Sequence, residues 1–418
     1  MREKLWFVVL FGLLTASAFA GNPQPAAVYT FACKGGELEI GPCPDGGRPS
    51  TLNQGSDGNF YGVATFLSEG SSAPNGGTIF SVTPAGTITL LHEFLPGPNS
   101  TFPEGNYPGG LVQGSDGKLY GFTFYGGVGG CNGACGDGVL YRLNTDGSDF
   151  QIIHEFCSDG GCGSVYEAAS SIVAGTDGNL YGTVYAGGSH GDGFIFRVTP
   201  SDGSYRVVAN FNFSADEGIP SGLTAAADGS LYAIALSTRP SFLVHYTPST
   251  GSMTTVVLNF PVFRSGDSEL PSSPVSGLTF GPNGNLYGLY RIYGENGQGL
   301  FEVEPNGSKL RLLPFYTTVP GGGDSDGLIL ASDGNFWMAE ITGSNGFGDI
   351  LTISPYDGSL IQMLTPFSDS AAVGANPLVL IQANDGTLWG TTAADGDTPK
   401  GYFGAGVVFS VNAGLPPE

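Results

Sequence analysis

One hexapeptide returns along the whole chain and limits the folds open to it. "DGNLYG" and its close variants occur seven times, 50 to 61 residues apart, with the first residue at Asp57, Asp116, Asp177, Asp228, Asn283, Asp333 and Asp385. A period of this size is typical of the blades of a β-propeller, in which each repeat forms one small sheet.

Each repeat also contains four short β-rich runs separated by glycine, aspartate, asparagine and proline. In the second repeat, "GGLVQG" precedes the hexapeptide, and "KLYGFTF", "GVLYRLN" and "FQIIHEF" follow. Asp-Gly between apolar runs indicates a tight hairpin turn, because glycine adopts positive φ and aspartate bonds nearby backbone. No sustained helical periodicity follows the N-terminal segment, so the pattern predicts an all-β chain.

The hexapeptide places a leucine or phenylalanine next to a tyrosine or tryptophan. The seven pairs are Phe60/Tyr61, Leu119/Tyr120, Leu180/Tyr181, Leu231/Tyr232, Leu286/Tyr287, Phe336/Trp337 and Leu388/Trp389. Neighbouring side chains on a strand point to opposite faces, so one of each pair is expected to pack against the next blade. The repeat is therefore interpreted as structural; an aromatic ligand platform is the alternative.

The two ends of the chain predict ring closure. Six repeats finish with a strand that ends in phenylalanine: Phe94, Phe156, Phe211, Phe260, Phe315 and Phe367. The seventh lacks this strand, and "AVYTF" at residues 27–31 supplies an equivalent one. We therefore predict a seven-bladed β-propeller of four-stranded blades, a single domain over residues 21–418, with the last blade closed by the N-terminal strand.

The first 20 residues, "MREKLWFVVLFGLLTASAFA", have the basic start, apolar centre and small final residues of a signal peptide. The apolar run from Leu5 to Leu14 is shorter than the roughly 20 residues of a membrane span. An exported bacterial protein is expected, either secreted or periplasmic, that is monomeric and has no membrane span.

Charge and cysteines agree with that compartment. The formal net charge of −23 disfavours nucleic acid and anionic membrane as partners. The cysteines lie in three close pairs, which predicts short-loop disulfides in an exported chain: Cys33 with Cys43, Cys131 with Cys135, and Cys157 with Cys162. No histidine or further cysteine accompanies them at zinc-site spacing.

The repeat resembles the choice-of-anchor tandem repeat GloVer-containing proteins. The segment "LYGTVYAGGSHGDGFIFRVTPSDGS" at residues 180–204 and "EGIPSGL" at residues 217–223 carry the resemblance, which extends over about residues 27–412. It implies an exported bacterial propeller-like protein without an established activity. Repeats four and six depart most from the pattern.

A weaker resemblance is to streptogramin lyase-like propellers, through "GPNGNLYG" and "SDGNFWMAE". It implies a histidine base and a metal-bound glutamate near the channel. The histidines do not support this chemistry, because His92, His154 and His245 fall within repeat strands and only His190 is in a loop.

The loops indicate where a ligand would bind. The first-to-second and third-to-fourth connections are short turns, whereas the second-to-third and fourth-to-first connections are long and lie together on the other face. An acid recurs in the fourth-to-first connections: Asp45, Glu104, Glu167, Glu217, Asp267, Asp324 and Asp369. No cofactor is required, but converging carboxylates would hold calcium; the alternative is that each acid caps its own loop.

The leading hypothesis is a non-enzymatic binding protein whose long-loop face contacts a glycan, a cell-surface component or another protein. Tyr125, Tyr166, Tyr185 and Tyr293 are the predicted binding residues. The alternative is an extracellular lyase or hydrolase acting at the channel mouth. No catalytic residue is assigned; the candidates for that alternative are His190, Arg291 and Glu295.

Overall fold

The structure is a computed structural model that describes most of the repeat region. The described residues are 23–31, 46–65, 76–98, 102–128, 138–156, 169–212, 219–220, 222–236, 241–265, 268–292, 298–313, 327–343, 346–364, 367, 373–394 and 405–418. Within these residues there is no α-helix, as the sequence predicts. Correspondingly, no helix in the described part of the chain is long and apolar enough to cross a membrane.

The predicted signal peptide and the predicted disulfides lie outside the described residues. The six cysteines concerned are Cys33, Cys43, Cys131, Cys135, Cys157 and Cys162. Neither their pairing nor their oxidation is tested by the structure, so the three short-loop disulfides stay a prediction.

Seven antiparallel sheets form the blades of a β-propeller. The first three blades each have four strands in chain order from the inner to the outer edge. Blade 1 contains β2 (Pro49–Gln54), β3 (Phe60–Ala64), β4 (Thr78–Val82) and β5 (Ile88–Glu93). Blade 2 contains β6 (Asn106–Gln113), β7 (Leu119–Tyr125), β8 (Val139–Leu143) and β9 (Gln151–Glu155). Blade 3 contains β10 (Ala169–Ala174), β11 (Leu180–Val184), β12 (Phe194–Thr199) and β13 (Ser204–Asn210).

The remaining blades follow the same plan, with the inner strand of blades 4 and 5 in two pieces. Blade 4 contains β14 (Ile219–Pro220), β15 (Thr224–Ala225), β16 (Leu231–Leu236), β17 (Ser241–Thr247) and β18 (Ser252–Leu258). Blade 5 contains β19 (Val262–Ser265), β20 (Ser268–Pro274), β21 (Thr279–Phe280), β22 (Leu286–Ile292), β23 (Gln298–Val303) and β24 (Arg311–Leu313). Blade 6 contains β25 (Ile329–Leu330), β26 (Phe336–Glu340), β27 (Asp349–Ile353) and β28 (Leu360–Leu364). Blade 7 contains β29 (Ala375–Gln382), β30 (Leu388–Ala394), β31 (Val407–Val411) and β1 (Ala26–Thr30).

The N-terminal strand completes blade 7. Strand β1 pairs antiparallel with β31, from Ala26 opposite Ser410 to Thr30 opposite Val407. The Phe31 N–H then donates to the Gly406 carbonyl at 3.1 Å. Three other blades repeat this bond, namely Phe94 to Gly77, Phe156 to Gly138 and Phe211 to Gly193, at 3.0 to 3.2 Å. Phe31 is therefore the missing strand-ending phenylalanine, and the predicted closure is confirmed.

Blade 5 has one feature that the repeat did not predict. The segment before its inner strand forms a hairpin, in which β19 pairs with the first half of β20 from Val262 opposite Pro271 to Ser265 opposite Ser268. The predicted acid Asp267 lies outside the described residues.

A buried hydrophobic cluster fills each of the seven boundaries between blades. In blade 1, Phe60 stacks on Trp389 of blade 7 with ring centroids 3.9 Å apart, while Tyr61 joins Leu111 and Leu119 of blade 2. The same division holds in all seven repeats. Both members of each pair therefore pack between blades, the first against the preceding blade and the second against the following one. This extends the prediction that only one of them would do so.

The repeated aspartate binds the repeated tyrosine as well as its own turn. Asp57 accepts a hydrogen bond from the Asn59 N–H at 3.1 Å and from the Tyr61 hydroxyl at 2.7 Å. The Tyr120 and Tyr181 hydroxyls bind Asp116 and Asp177 in the same way, each at 2.8 Å. Because the aspartate and the tyrosine are four residues apart, the hydroxyl of the buried tyrosine can donate a hydrogen bond to the aspartate in the turn.

Blade 5 has asparagine in place of this aspartate, and a glutamate from the third strand supplies the carboxylate. Asn283 donates through its side-chain amide to both the Tyr287 hydroxyl and Glu302, at 2.9 Å each. Arg311 binds the other carboxylate oxygen of Glu302 at 2.8 Å. Burial acts to raise the pKa of Glu302, but these hydrogen bonds outweigh it, so the pKa is below its usual value.

We expect alkaline titration to reveal a class of late-ionising tyrosines. Burial, with the nearby carboxylates adding to it, raises the pKa of Tyr61, Tyr120 and Tyr287 to about 12. Phenols in the unfolded chain ionise near pH ~10. Their contribution to stability is therefore complete below pH ~10 and is lost as the pH rises toward about 12. Phenolate difference spectroscopy of the folded protein, with Tyr61→Phe as control, measures this class; ionisation of every phenol near pH ~10 would contradict it.

A cross-strand pair of glycine and an aromatic ring explains the glycine of "LYG". Gly288 on β22 is opposite Phe301 on β23, and a Cβ at this glycine would lie 2.7 Å from the ring. The equivalent pairs are Gly62/Phe80, Gly121/Tyr141, Gly182/Phe196 and Gly390/Phe409. Blades 4 and 6, the two most divergent repeats, have Ala233 opposite Val244 and Met338 opposite Leu351. A side chain thus replaces glycine only where an aliphatic residue replaces the ring.

Candidate functional site

The ends of the strands define two unlike faces of the ring. We call the face at which the inner strands begin and the second strands end the long-loop face; in blade 1, Pro49 and Ala64 pair there. The Asp-Gly turns lie on the opposite face. Because the strands alternate in direction, the second-to-third and fourth-to-first connections leave and rejoin the described strands at the long-loop face, as predicted.

Among the described residues, three inner strands enter the ring through a non-glycine residue with positive φ. Arg48, Tyr107 and Asn376 have φ values of 57°, 55° and 59°, and each immediately precedes a proline. Their backbone N–H groups donate to carbonyls of the preceding blade at 2.6 to 2.8 Å. Non-glycine residues adopt this conformation at a cost, so the bond to the neighbouring blade holds the chain in it.

A cavity of about 590 Å³ occupies the channel beside blades 1 to 3. Inner-strand residues form most of its lining, together with two phenylalanines from the second strand of blade 2. The lining residues are Ser50, Thr51, Asn53, Gly109, Gly110, Leu111, Val112, Phe122, Phe124, Ser170, Ser171, Ile172, Val173 and Ala174. None of these residues carries a charge or titrates near neutral pH.

The polar lining residues also join neighbouring inner strands. The Thr51 hydroxyl donates to the Gly109 carbonyl at 3.0 Å, and the Asn53 amide donates to the Leu111 carbonyl at 2.6 Å. A hydroxyl or carboxamide that donates one bond still has oxygen lone pairs that accept others. These side chains can therefore fix the blades and bind a ligand at the same time.

Blade 2 differs from its neighbours at the channel wall. Gly109 and Gly110 oppose Phe122 at a β-bulge, and a Cβ on either glycine would lie 2.3 or 2.8 Å from the Phe122 ring. Only glycine fits at these two positions, so no side chain of the inner strand covers β7 there. The cavity therefore extends to β7, where Phe122 and Phe124 line it. The adjacent glycines of "GGLVQG" are the sequence signal for this opening.

The predicted binding tyrosines are partly described. Tyr125 ends β7 with 37% of its surface exposed and meets Tyr107 edge to face, with ring centroids 5.5 Å apart. Tyr185 follows β11 and is half-buried. Both lie on the long-loop face, on blades 2 and 3, which also form the cavity wall. Tyr166 and Tyr293 lie outside the described residues.

Two of the three predicted catalytic candidates lie within the described residues, on different blades. His190 is exposed in the loop after β11, and its Nδ1 is 2.9 Å from the Ser189 hydroxyl. That loop is held over the outer strand β13, because the Ser189 N–H donates to Asn210 at 2.9 Å. Arg291 lies on β22, with blade 4 between it and His190. Glu295 lies outside the described residues.

One of the seven recurring acids is described. The Glu104 carboxylate is 3.2 Å from His92 Nε2 on β5, the outermost strand of blade 1. Burial lowers the pKa of His92, although Glu104 acts in the opposite direction. The other acids fall outside the described residues: Asp45, Glu167, Glu217, Asp267, Asp324 and Asp369. In the ranges given above, no three histidine, cysteine, aspartate or glutamate residues form a metal-binding group.

A comparison with protein families identifies the repeat. The Gloeobacter/Verrucomicrobia repeat matches residues 13–241, more than half of the 418-residue chain. The chain belongs to this family. For the Gloeobacter/Verrucomicrobia repeat, the structure therefore gives a physical role to the aspartate, the aromatic pair and the glycine of its hexapeptide. Comparison with curated proteins finds no match.

Solved structures share the fold of this Gloeobacter/Verrucomicrobia repeat protein at low sequence identity. The periplasmic gluconolactonase of Pseudomonas aeruginosa is 15% identical with a TM-score of 0.55, over 82% of this chain and 95% of its own. A protein from Lactobacillus plantarum is 13% identical with a TM-score of 0.53, over 82% of this chain and 96% of its own. At these identities the likeness concerns the fold alone.

Proposed function

We propose that this protein is a non-enzymatic binding propeller that takes a neutral, hydroxyl-rich ligand such as an oligosaccharide into the channel cavity. The observation that carries the proposal is the cavity lining, which combines serine, threonine and asparagine with glycine and phenylalanine. Its volume of about 590 Å³ is within the range of small-ligand sites. The ligand enters from the long-loop face, on which Tyr107 and Tyr125 pack edge to face.

The chemistry of the lining favours a neutral ligand. Sugar hydroxyls donate and accept hydrogen bonds, as do serine and threonine hydroxyls and carboxamides, so the two sets of groups match. A charged ligand would lose its hydration without gaining an opposite charge among the described lining residues. The net charge of −23 also repels acidic polymers at a distance.

The lyase or hydrolase alternative has less support. General acid–base catalysis requires a titratable group within hydrogen-bond reach of the substrate. The described cavity lining includes no such group. His190 and Arg291 are on blades 3 and 5, and neither residue lines the described cavity.

Calorimetric titration with neutral oligosaccharides of glucose, galactose and N-acetylglucosamine tests this proposal. Ser50→Trp should fill the cavity and lower the affinity at least ~10-fold, because Ser50 lines it. Thr255→Trp on the exposed outer strand β18 is the matched control and should bind like the unmodified protein. Failure of the unmodified protein to bind any of these sugars, or equal binding by the Ser50 variant, would contradict the proposal. Sugar turnover would favour the hydrolase alternative.

A further inference from the structure

We infer that Phe124 is the stacking platform for one pyranose ring of the ligand, and that the paired glycines Gly109 and Gly110 open the channel wall to it. This inference rests on the proposed function and names its ligand class more narrowly. The favoured ring is a pyranose with equatorial hydroxyls, as in β-linked glucose.

The strand registers show what is particular to blade 2. In blades 1, 3 and 7 the inner strand carries one extra residue opposite the second strand, as Pro49 pairs with Ala64 but Thr51 with Val63. The residues at this bulge are Ser50–Thr51, Ser170–Ser171 and Leu378–Val379. Blade 2 has the same bulge with Gly109–Gly110. In that blade alone among the four, the inner strand has no side chains at the bulge.

The two phenylalanines of β7 that line the cavity are not equally accessible. Phe122 is 1% exposed, because the glycine backbone packs on its ring. Phe124, two residues further on the same face of β7, is half-buried and meets Phe122 edge to face at 5.5 Å and 87°. Of the two aromatic lining residues, Phe124 is therefore the one that a ligand can contact.

The surroundings of Phe124 match the two kinds of surface on a pyranose. A ring with equatorial hydroxyls presents C–H groups on its faces and hydroxyls around its edge. The C–H face packs on an aromatic ring, which attracts the slightly positive hydrogens, while the edge requires polar partners. Ser50, Thr51 and Asn53 of blade 1 and Ser170 and Ser171 of blade 3 lie on either side of blade 2 in the same cavity.

The test measures cellotetraose affinity by calorimetry for three substitutions. Phe124→Leu removes the aromatic face and should weaken binding at least ~10-fold, whereas Phe124→Tyr retains the face and should keep the affinity within ~3-fold. Phe242→Leu on β17 of blade 4 is the matched control, because Phe242 is half-buried between blades but does not line the cavity. Sorbitol, which has hydroxyls but no ring, should bind much more weakly than cellotetraose.

A second readout does not depend on the stability of the leucine variant. Phe124→Trp should show a shift in tryptophan emission when cellotetraose is added, since the ring becomes covered. Unchanged affinity in Phe124→Leu while Ser50→Trp abolishes binding would overturn the stacking role and leave the proposed function intact. Equal binding of sorbitol, or no emission shift despite binding, would overturn it as well. Absence of binding of every neutral oligosaccharide would overturn both proposals.

Discussion

A chain that begins at residue 33 is expected to lose the single cooperative unfolding transition of the 21–418 chain and to aggregate. Removal of β1 leaves the outer edge of β31 unpaired from Val407 to Ser410 and takes Phe31, 1% exposed, out of the cluster shared with Phe80 and Val408. An uncovered apolar strand edge is a template for pairing with other chains. Calorimetry and light scattering measure both effects.

Point substitutions distinguish the effect of losing the β1 contacts from the effect of shortening the chain. Phe31→Ala should cost about 3–5 kcal/mol of unfolding free energy, because a buried aromatic ring is lost. Thr30→Ala, at the neighbouring exposed position, should cost less than ~0.5 kcal/mol. A synthetic peptide of residues 23–31 should restore the transition of the shortened chain. If the 33–418 chain is a soluble monomer with an unchanged melting temperature, the shared blade does not close the ring.

Gly288→Ala is expected to destabilise the protein by about 1–3 kcal/mol, the usual cost of forcing extra volume into a packed site. The added Cβ would lie 2.7 and 2.8 Å from ring atoms of Phe301, whereas its nearest backbone neighbour, the Gly277 carbonyl, is 3.1 Å away. The ring is therefore the main obstacle. Phe301→Val alone should also destabilise by about 2 kcal/mol, because it leaves a cavity.

The double variant Gly288→Ala with Phe301→Val should be more stable than the sum of the two losses by about 1 kcal/mol or more. It reproduces the Ala233–Val244 pair of blade 4. The reverse exchange, Ala233→Gly with Val244→Phe, is the matched control and should show coupling of the same sign. Urea unfolding of all six variants supplies the free energies. Additive losses in both blades would mean that the glycine and the ring are not linked.

Much of the fold could be predicted from the sequence because a seven-bladed propeller repeats one four-stranded unit seven times. The Asp-Gly turns, the four strands and the placement of "AVYTF" as the last strand follow from local signals that agree with one another. The link between Gly288 and Phe301 was also visible, since Ala233 and Met338 change together with Val244 and Leu351. It became interpretable only with the cross-strand register.

Less of the candidate site could be predicted from the sequence. Tyr125 and Tyr185 lie on the long-loop face, but the cavity depends on the bulge at Gly109–Gly110, and a bulge is a feature of the pairing between strands. Linear order also did not show that Glu104 lies beside His92 on an outer strand. Distances from the channel axis arise from the closed ring, so residue spacing along one repeat does not contain them.

The pairing of β1 with β31 has a consequence for synthesis. β1 and β31 lie at opposite ends of the repeat region. The ribosome therefore makes β1 first, but β1 can pair only after β31 has been made. Any chain whose translation stops before β31 lacks that partner and remains an open arc with accessible edges. Proteases degrade accessible backbone more readily than a closed ring. Only a chain whose translation has passed β31 can therefore close the ring and gain this protection from proteases.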